Sequence, residues 1–303
     1  MRSESTTYWM FRSLYGLLQL LPSWTVRPLS LTIGSILFAT MPERRSLVTR
    51  HLRRVIGQSA ERQLIEREVL RSFQSYALYW MESAKLEELV KRHELEESFL
   101  ILEGGDYLFD AMRQERGVIL ALPHLGSFDH GGAWLDLMGH PMTTVAEELK
   151  PIELFEWFRK RRQAVGIKVF GLNSDATSHL ISALAKGEVV GLICDRDLGG
   201  NGVEVEFFDE RTTLPAGPAA LALRTGAKLM TAAVYRGPGR VYYGVVNPPI
   251  PTERQGKFRA QVAEVTQLIA DELEELIKRA PHQWHLFQPL WPSDGSMLSR
   301  QSK

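Results

Sequence analysis

The sequence predicts an α/β fold, a mostly parallel central sheet flanked by helices, with an N-terminal helical extension that faces a membrane. Three observations predict it. From about residue 101, short apolar runs alternate with amphipathic helical segments. The first hundred residues carry helical periodicity without that alternation. Two apolar segments, 8–21 and 29–41, open the chain but fall short of the roughly 18–20 apolar residues of a spanning helix.

The elements follow in order. Residues 1–100 form the helical, membrane-associated part and residues 101–303 the core, within one integrated domain. Neither N-terminal segment has the layout of a secretory signal. Trp9, Phe11, Tyr15 and Trp24, mixed with leucines, suit the headgroup level of a bilayer. Residues 44–56 carry Arg44, Arg45, Arg50, His51, Arg53 and Arg54. This run reads as an exposed helix face that could also hold anionic headgroups. Residues 61–99 hold two helical patterns, with Tyr76, Tyr79, Trp80 and Glu82 in the second. The charged tail at 85–97 reads as solvated. Strands are expected at 117–122, 143–146, 167–170, 189–194, 227–235 and 241–246. Helices are expected at 106–114, 129–138, 151–165, 175–185, 216–225 and 258–279.

Composition removes several classes of function. The chain has 303 residues with 36 basic and 36 acidic side chains, so it lacks the global basic field of a nucleic-acid binder. Its one cysteine, Cys194, excludes an intramolecular disulfide framework and a cysteine-rich zinc site.

Residues 117–132 carry the most chemistry. They read as a buried strand, a tight turn at Pro123 and Gly126, and a helix start capped by Ser127. Open α/β sheets place ligands at such strand ends. His124 sits in the turn and Asp129 in the first helical turn, where the helix dipole favours a carboxylate. Five positions along one helix would place them about 140° apart. With His124 in the loop, the chain can fold back and bring Asp129 to the imidazole. A carboxylate on one ring nitrogen leaves the other free to take a proton from an alcohol. The same segment offers two rival chemistries. Ser127 lacks the flanking glycines of a Gly-x-Ser-x-Gly elbow. A metal site of His124, Asp129 and His130 lacks further ligands.

The His124-x4-Asp129 block after an apolar strand resembles the signature of the glycerolipid and lysophospholipid acyltransferase superfamily. The stretches 194–198, 202–211 and 214–218 resemble its lipid A biosynthesis acyltransferase branch. Residues 283–289 (Gln-Trp-His-Leu-Phe-Gln-Pro) and 75–82 look most like the actinobacterial phosphatidylinositol mannoside acyltransferases. The resemblance runs over nearly the whole chain. It implies a peripheral protein on the cytoplasmic face of the cell membrane, at an anionic inner-leaflet surface. It also implies transfer of a long acyl chain, typically palmitoyl, from long-chain acyl-CoA to the mannose 6-hydroxyl of a mannosylated phosphatidylinositol glycolipid. His124 would be the base and Asp129 its orienting acid. No metal or redox cofactor is implied, since acyl-CoA is a substrate. The sequence departs from the family at Asp209, where glycine is frequent, and at Thr231, where proline is.

Other charged residues fall at strand ends. Glu147 and Glu148 follow the strand at 143–146 and are candidates to accept sugar hydroxyls, or form a solvated N-terminus for the next helix. Arg162 is the candidate phosphate ligand among the four cations at 159–162. Asp195, Arg196 and Asp197 end the strand at 189–194 and are expected either to bind acceptor, to assist His124, or to form an ion-pair lock. Arg211 precedes a helix start that could hold an anion. Trp284 and His285 are expected to be packing residues. Rival functions are acyl transfer to another glycolipid or a lysophospholipid, a thioesterase or lipid hydrolase, and a noncatalytic lipid-binding scaffold.

Overall fold

The computed structural model describes residues 2–114, 116–253 and 255–295. Five helices come first: α1 (Arg2–Leu20), α2 (Val26–Thr40), α3 (Pro42–Ile56), α4 (Arg62–Lys91) and α5 (Glu94–Ser98). Strands and helices then alternate through β1 (Phe99–Glu103), α6 (Gly105–Arg113), β2 (Val118–Leu122), α7 (Phe128–Leu137), β3 (Met142–Ala146), α8 (Ile152–Gln163), β4 (Ile167–Gly171), α9 (Ala176–Ala185) and β5 (Val189–Ile193). A hairpin of β6 (Val203–Phe207) and β7 (Glu210–Leu214) follows, then α10 (Gly217–Thr225), β8 (Lys228–Arg236), β9 (Tyr242–Val246) and α11 (Phe258–Arg279). Among the described residues, no helix is long and apolar enough to cross a membrane.

Seven strands form one sheet in the order β1-β9-β8-β2-β5-β3-β4. Every neighbouring pair is parallel except β8 with β9. The reason lies in the side chains of the central strands. All five residues of β2 are buried, so the strand carries no polar face for water, as a strand covered on both sides requires. Its side chains alternate between two cores. Ile119 and Ala121 join the cluster under α9, α10 and α11, while Val118, Leu120 and Leu122 join the one under α6 and α7. The expected mostly parallel sheet flanked by helices is therefore present. β1 and the β6–β7 hairpin were not among the expected strands. The turn of that hairpin places Phe208 and Asp209 at φ of 51° and 59°. Asp209 thus occupies a left-handed position that glycine fills without strain and Asp tolerates.

α4 is the spine of the N-terminal part. Its buried residues include Ile65, Val69, Phe73, Ala77 and Tyr79. α2 crosses it at Gly34, where a Cβ would lie 2.4 Å from Gln74 Cα, so the crossing needs glycine. The tail expected to be solvated belongs to this helix as far as Lys91, and Lys85 within it is buried. The basic run on α3 points inward. Arg50 Nε and His51 Nε2 donate to the two oxygens of buried Asp294 at 3.1 and 3.0 Å, Arg54 lies 3.5 Å from Asp294, and Arg44 donates to the Phe287 carbonyl. These side chains pin the C-terminal segment through buried Asp294 and the Phe287 carbonyl.

α1 has two apolar faces. At 100° per residue, Phe11 and Tyr15 share one side, and Met10, Leu14, Leu17 and Leu20 the other. Phe11 meets Phe158 edge-on, Tyr15 meets Trp157, and the Tyr15 hydroxyl donates to the Ser83 carbonyl at 3.0 Å. Those two residues, expected at a membrane, therefore pack inward. The opposite stripe is exposed, with Leu20 82% and Trp24 78% accessible, and Trp9 is exposed beside it.

Candidate active site

Register builds the site. Leu122 of β2 pairs with Ile193 of β5 in a parallel ladder. Two residues further along each chain come His124 and Asp195, so strand pairing alone sets them side by side. His124 Nδ1 lies 2.6 Å from Asp195 Oδ1. The His124 backbone N–H donates to Asp195 Oδ2 at 2.8 Å, and Trp284 Nε1 donates to the same oxygen at 2.7 Å. Asp195 is fully buried. Burial alone would push its carboxyl up, but the His124 imidazole and the Trp284 donor outweigh that and hold it below the usual carboxylate range. The His124 side chain keeps a third of its surface accessible, and its Nε2 has no hydrogen-bond partner among the described residues.

The loop that carries His124 is fixed by its backbone. Gly126 N–H donates to the Gln283 carbonyl at 2.9 Å, Ser127 N–H to the Val234 carbonyl at 2.8 Å, and His285 N–H to the His124 carbonyl at 2.7 Å. The C-terminal segment thus runs as an extra strand against the loop, with Leu125 bridging antiparallel to Trp284. Gly126 takes φ of +59°.

Asp129 does not orient His124, as the sequence suggested. It sits in the first turn of α7 and faces α4 and α8. The Tyr79 hydroxyl donates to its Oδ2 at 2.8 Å, and Arg162 donates to both oxygens at 3.0 and 3.3 Å. The physical reason is helical direction. A first-turn side chain leans back over the N-terminal edge of its helix, and there it meets Tyr79 and Arg162 before it meets the imidazole. Arg162 is therefore committed to a carboxylate and is not an open phosphate ligand. Burial, with Asp129 beside it, raises the Tyr79 hydroxyl well above its ordinary value.

Ser127 is the N-cap residue of α7, but its side chain makes no capping hydrogen bond, and its burial removes it as a nucleophile. His130 is fully buried, stacks on Tyr242 at 4.2 Å, and both its nitrogens lack partners. Burial depresses it to about 3, so it stays neutral. His124, Asp129 and His130 do not converge as metal ligands, and among the described residues no other such group does.

The remaining candidates divide. Glu147 follows β3, Arg196 lies three residues past β5, and the two approach to 3.7 Å at the same sheet edge as His124. Glu148 Oε1 accepts from Asn173 Nδ2 at 2.9 Å at that edge. Asp197 instead clasps its own loop. Its carboxylate accepts the amides of Gly199, Gly200 and Gly202 and the Thr213 hydroxyl, which leaves it no free oxygen for an acceptor. Arg211 pairs with Glu204 at 3.3 Å across the exposed hairpin. Trp284 was expected only to pack, yet it completes the shell around Asp195. Its one signal in the sequence is its place in the 283–289 block.

Comparisons with known proteins identify the family of the chain. The model of the family described as bacterial lipid A biosynthesis acyltransferase matches residues 2–293. A phosphatidylinositol mannoside acyltransferase of Mycobacterium tuberculosis (strain ATCC 25618 / H37Rv) is 33% identical over 304 aligned positions, which cover 98% of this chain and 92% of that protein. The protein of the same name from Mycolicibacterium smegmatis is 36% identical over 253 positions, 81% of this chain and 79% of that one. The lipid A biosynthesis palmitoleoyltransferase of Escherichia coli (strain K12) is 27% identical over 186 positions, 60% of this chain and 58% of that protein. A match across almost every described element, with two relatives above 30% identity, places the chain in the bacterial lipid A biosynthesis acyltransferase family.

Proposed function

We propose that this acyltransferase moves a long acyl chain, palmitoyl, from a CoA thioester to the mannose 6-hydroxyl of a phosphatidylinositol mannoside. The observation that carries the mechanism is the His124–Asp195 pair at the C-terminal edge of the sheet, where the His124 side chain keeps a third of its surface accessible. Asp195 accepts a hydrogen bond from Nδ1–H and so leaves Nε2 as the base. Nε2 takes the hydroxyl proton as the oxygen attacks the thioester carbonyl. The tetrahedral intermediate then expels the CoA thiolate, which recovers that proton from the imidazolium. Glu147, Glu148 and Arg196 lie at the same edge, where sugar hydroxyls would be held.

The test is incubation of the purified protein with radiolabelled palmitoyl-CoA and a panel of phosphatidylinositol mannosides, lysophospholipids and other glycolipids. Labelled mannoside is expected, and His124→Ala should lower the rate about 10²–10⁴-fold. Free palmitate alone would make the protein a hydrolase. Label on a different acceptor would keep the chemistry and replace the substrate. No turnover at all would leave a scaffold.

The exposed stripe of α1 supports peripheral attachment to a membrane, which the same reading assigns to the cytoplasmic face. Each large apolar side chain moved out of water contributes about 1.5–3 kcal/mol. Replacing Met10, Leu14 and Leu17 together by Asp should therefore cut co-sedimentation with anionic vesicles by at least about tenfold. These side chains are exposed, so thermal stability should hold. Equal sedimentation of both forms would remove the membrane assignment.

A further inference from the structure

Strand β8 outruns its partner β2. The two pair in parallel from Val118 with Lys228 to Ala121 with Thr231. β2 then ends, and the chain turns away into the His124 loop. That loop touches β8 once more, where Gly126 bridges to Val234 and the Ser127 N–H donates to the Val234 carbonyl at 2.8 Å. Arg236, the last residue of β8, lies two residues further on. Backbone groups of residues two apart leave a strand on the same side, so the N–H and C=O of Arg236 face the space that β2 has vacated.

The side chain of Gln283 fills that place. Its Oε1 accepts from the Arg236 N–H at 2.8 Å, and its Nε2 donates to the Arg236 carbonyl at 2.9 Å. One carboxamide thus makes the donor–acceptor pair that a further strand would make with its peptide groups. Asn and Gln are the side chains that carry a donor and an acceptor on one amide plane, and asparagine is a methylene shorter. Gln283 is buried, so loss of its amide would leave both Arg236 groups short of a partner. Arg236 is itself a fixed anchor, since its Nε donates to buried Glu82 at 2.7 Å.

The catalytic pair hangs from this joint. The Gln283 carbonyl accepts from the Gly126 N–H at 2.9 Å. The next residue, Trp284, donates its indole N–H to Asp195 Oδ2 at 2.7 Å. The one after, His285, donates its backbone N–H to the His124 carbonyl at 2.7 Å. Three consecutive residues therefore hold the loop, the acid and the base, and the side chain of the first clips them to β8. We propose that Gln283 is a positioning residue for acyl transfer: its clip to Arg236 sets where segment 283–285 lies against the sheet, and so how His124 meets Asp195. Gln283 acts through that pair and not on substrate. The inference deepens the acyl-transfer proposal above, and its kinetic test rests on that reading, whereas its spectroscopic test does not.

The test compares Gln283→Met, which keeps the reach of the side chain and loses both bonds, with Gln283→Glu, which keeps an acceptor for the Arg236 N–H. The assay uses palmitoyl-CoA and a phosphatidylinositol mannoside, well below each thermal midpoint. In Gln283→Met, kcat should fall about 10–100-fold while KM for both substrates stays within about twofold. Gln283→Glu should lie between that variant and the parent. The loss should shrink to less than about threefold in an Asp195→Asn background, where the pair is already broken and little is left to position. A residue that only stabilised the fold would lower the midpoint, leave kcat of the folded enzyme alone, and act equally in both backgrounds. A second readout needs no turnover. The carbon-bound ring proton resonances of His124, assigned by their absence in His124→Ala, should move in Gln283→Met. A kcat within about twofold of the parent, equal losses in the two backgrounds, or unmoved His124 resonances would each overturn the proposal. If Gln283→Met does not fold, Gln283→Ala takes its place under the same criteria, since it leaves room for water to pair with Arg236 while the clip is gone. Moved resonances beside a parent that transfers no acyl group would sink only the acyl-transfer proposal. Transfer by the parent beside unmoved resonances would sink only this one.

Discussion

Asp195→Asn is expected to lower kcat for acyl transfer by about 10²–10⁴-fold with little change in KM. The direction follows from counting donors. Asp195 accepts one hydrogen bond on Oδ1, from His124 Nδ1, and two on Oδ2, from the His124 amide and Trp284 Nε1. Asparagine has one oxygen. Placed at Oδ2, it keeps two donors satisfied and turns its NH₂ toward Nδ1. Placed at Oδ1, it sets the NH₂ against two N–H groups and leaves them buried and unpaired. The first arrangement wins, and it forces the imidazole to carry its proton on Nε2, where a base is needed. The shape is unchanged, so the thermal midpoint should move little compared with the rate. A loss of less than tenfold would remove Asp195 from the mechanism.

Two neighbours calibrate that result. Trp284→Phe removes one donor from Oδ2 and keeps most of the ring volume, so about a tenfold effect on kcat is the scale expected of one lost charge-assisted hydrogen bond. Asp129→Asn should behave differently. It weakens the pairing with Arg162 and Tyr79, and so should cost stability, about 2–3 kcal/mol, more than it costs kcat. If Asp129→Asn abolished turnover in a protein of normal thermal midpoint, the assignment of the orienting acid to Asp195 would fall.

The sheet was legible in the sequence because its central strands are uniform. Residues 118–122 and 189–193 are unbroken apolar runs between breakers, and only a strand covered on both faces fits them. The same run fixed His124 at a strand end. Partner choice was less legible, because it depends on strand order. Asp195 is 71 residues from His124 in sequence. It becomes the neighbour only once β2 and β5 pair, whereas Asp129 is near in sequence and separated by the direction of α7. β1 and the hairpin were missed for a related reason. β6 alternates valine with glutamate over five residues, too short a pattern to stand out beside chemistry-bearing motifs. The basic run on α3 misled as well, since charge at helical spacing does not reveal that Asp294, more than 240 residues away, gathers it inward.

Gly126→Ala should be among the most disruptive single methyls at the described glycines. At φ of +59° an alanine is strained by about 1–2 kcal/mol. The steric clash costs more. A Cβ there would lie 2.0 Å from the Val234 carbonyl oxygen, a backbone atom of a central strand that cannot rotate away. Relief requires the loop to lift from β8, which breaks the Ser127–Val234 hydrogen bond and loosens the one from Gly126 to Gln283. The sum is on the order of 4–5 kcal/mol, a midpoint lower by roughly 10 °C. Lifting the loop also draws His124 off Asp195, so activity should fall in the fraction that remains folded. Gly217→Ala is the matched control. Nothing lies within 4 Å of its added Cβ, it opens α10, and its midpoint should stay level or rise slightly. Equal midpoints for the two variants would mean that the His124 loop is not held against β8, and that the imidazole reaches Asp195 by some route other than the strand pairing.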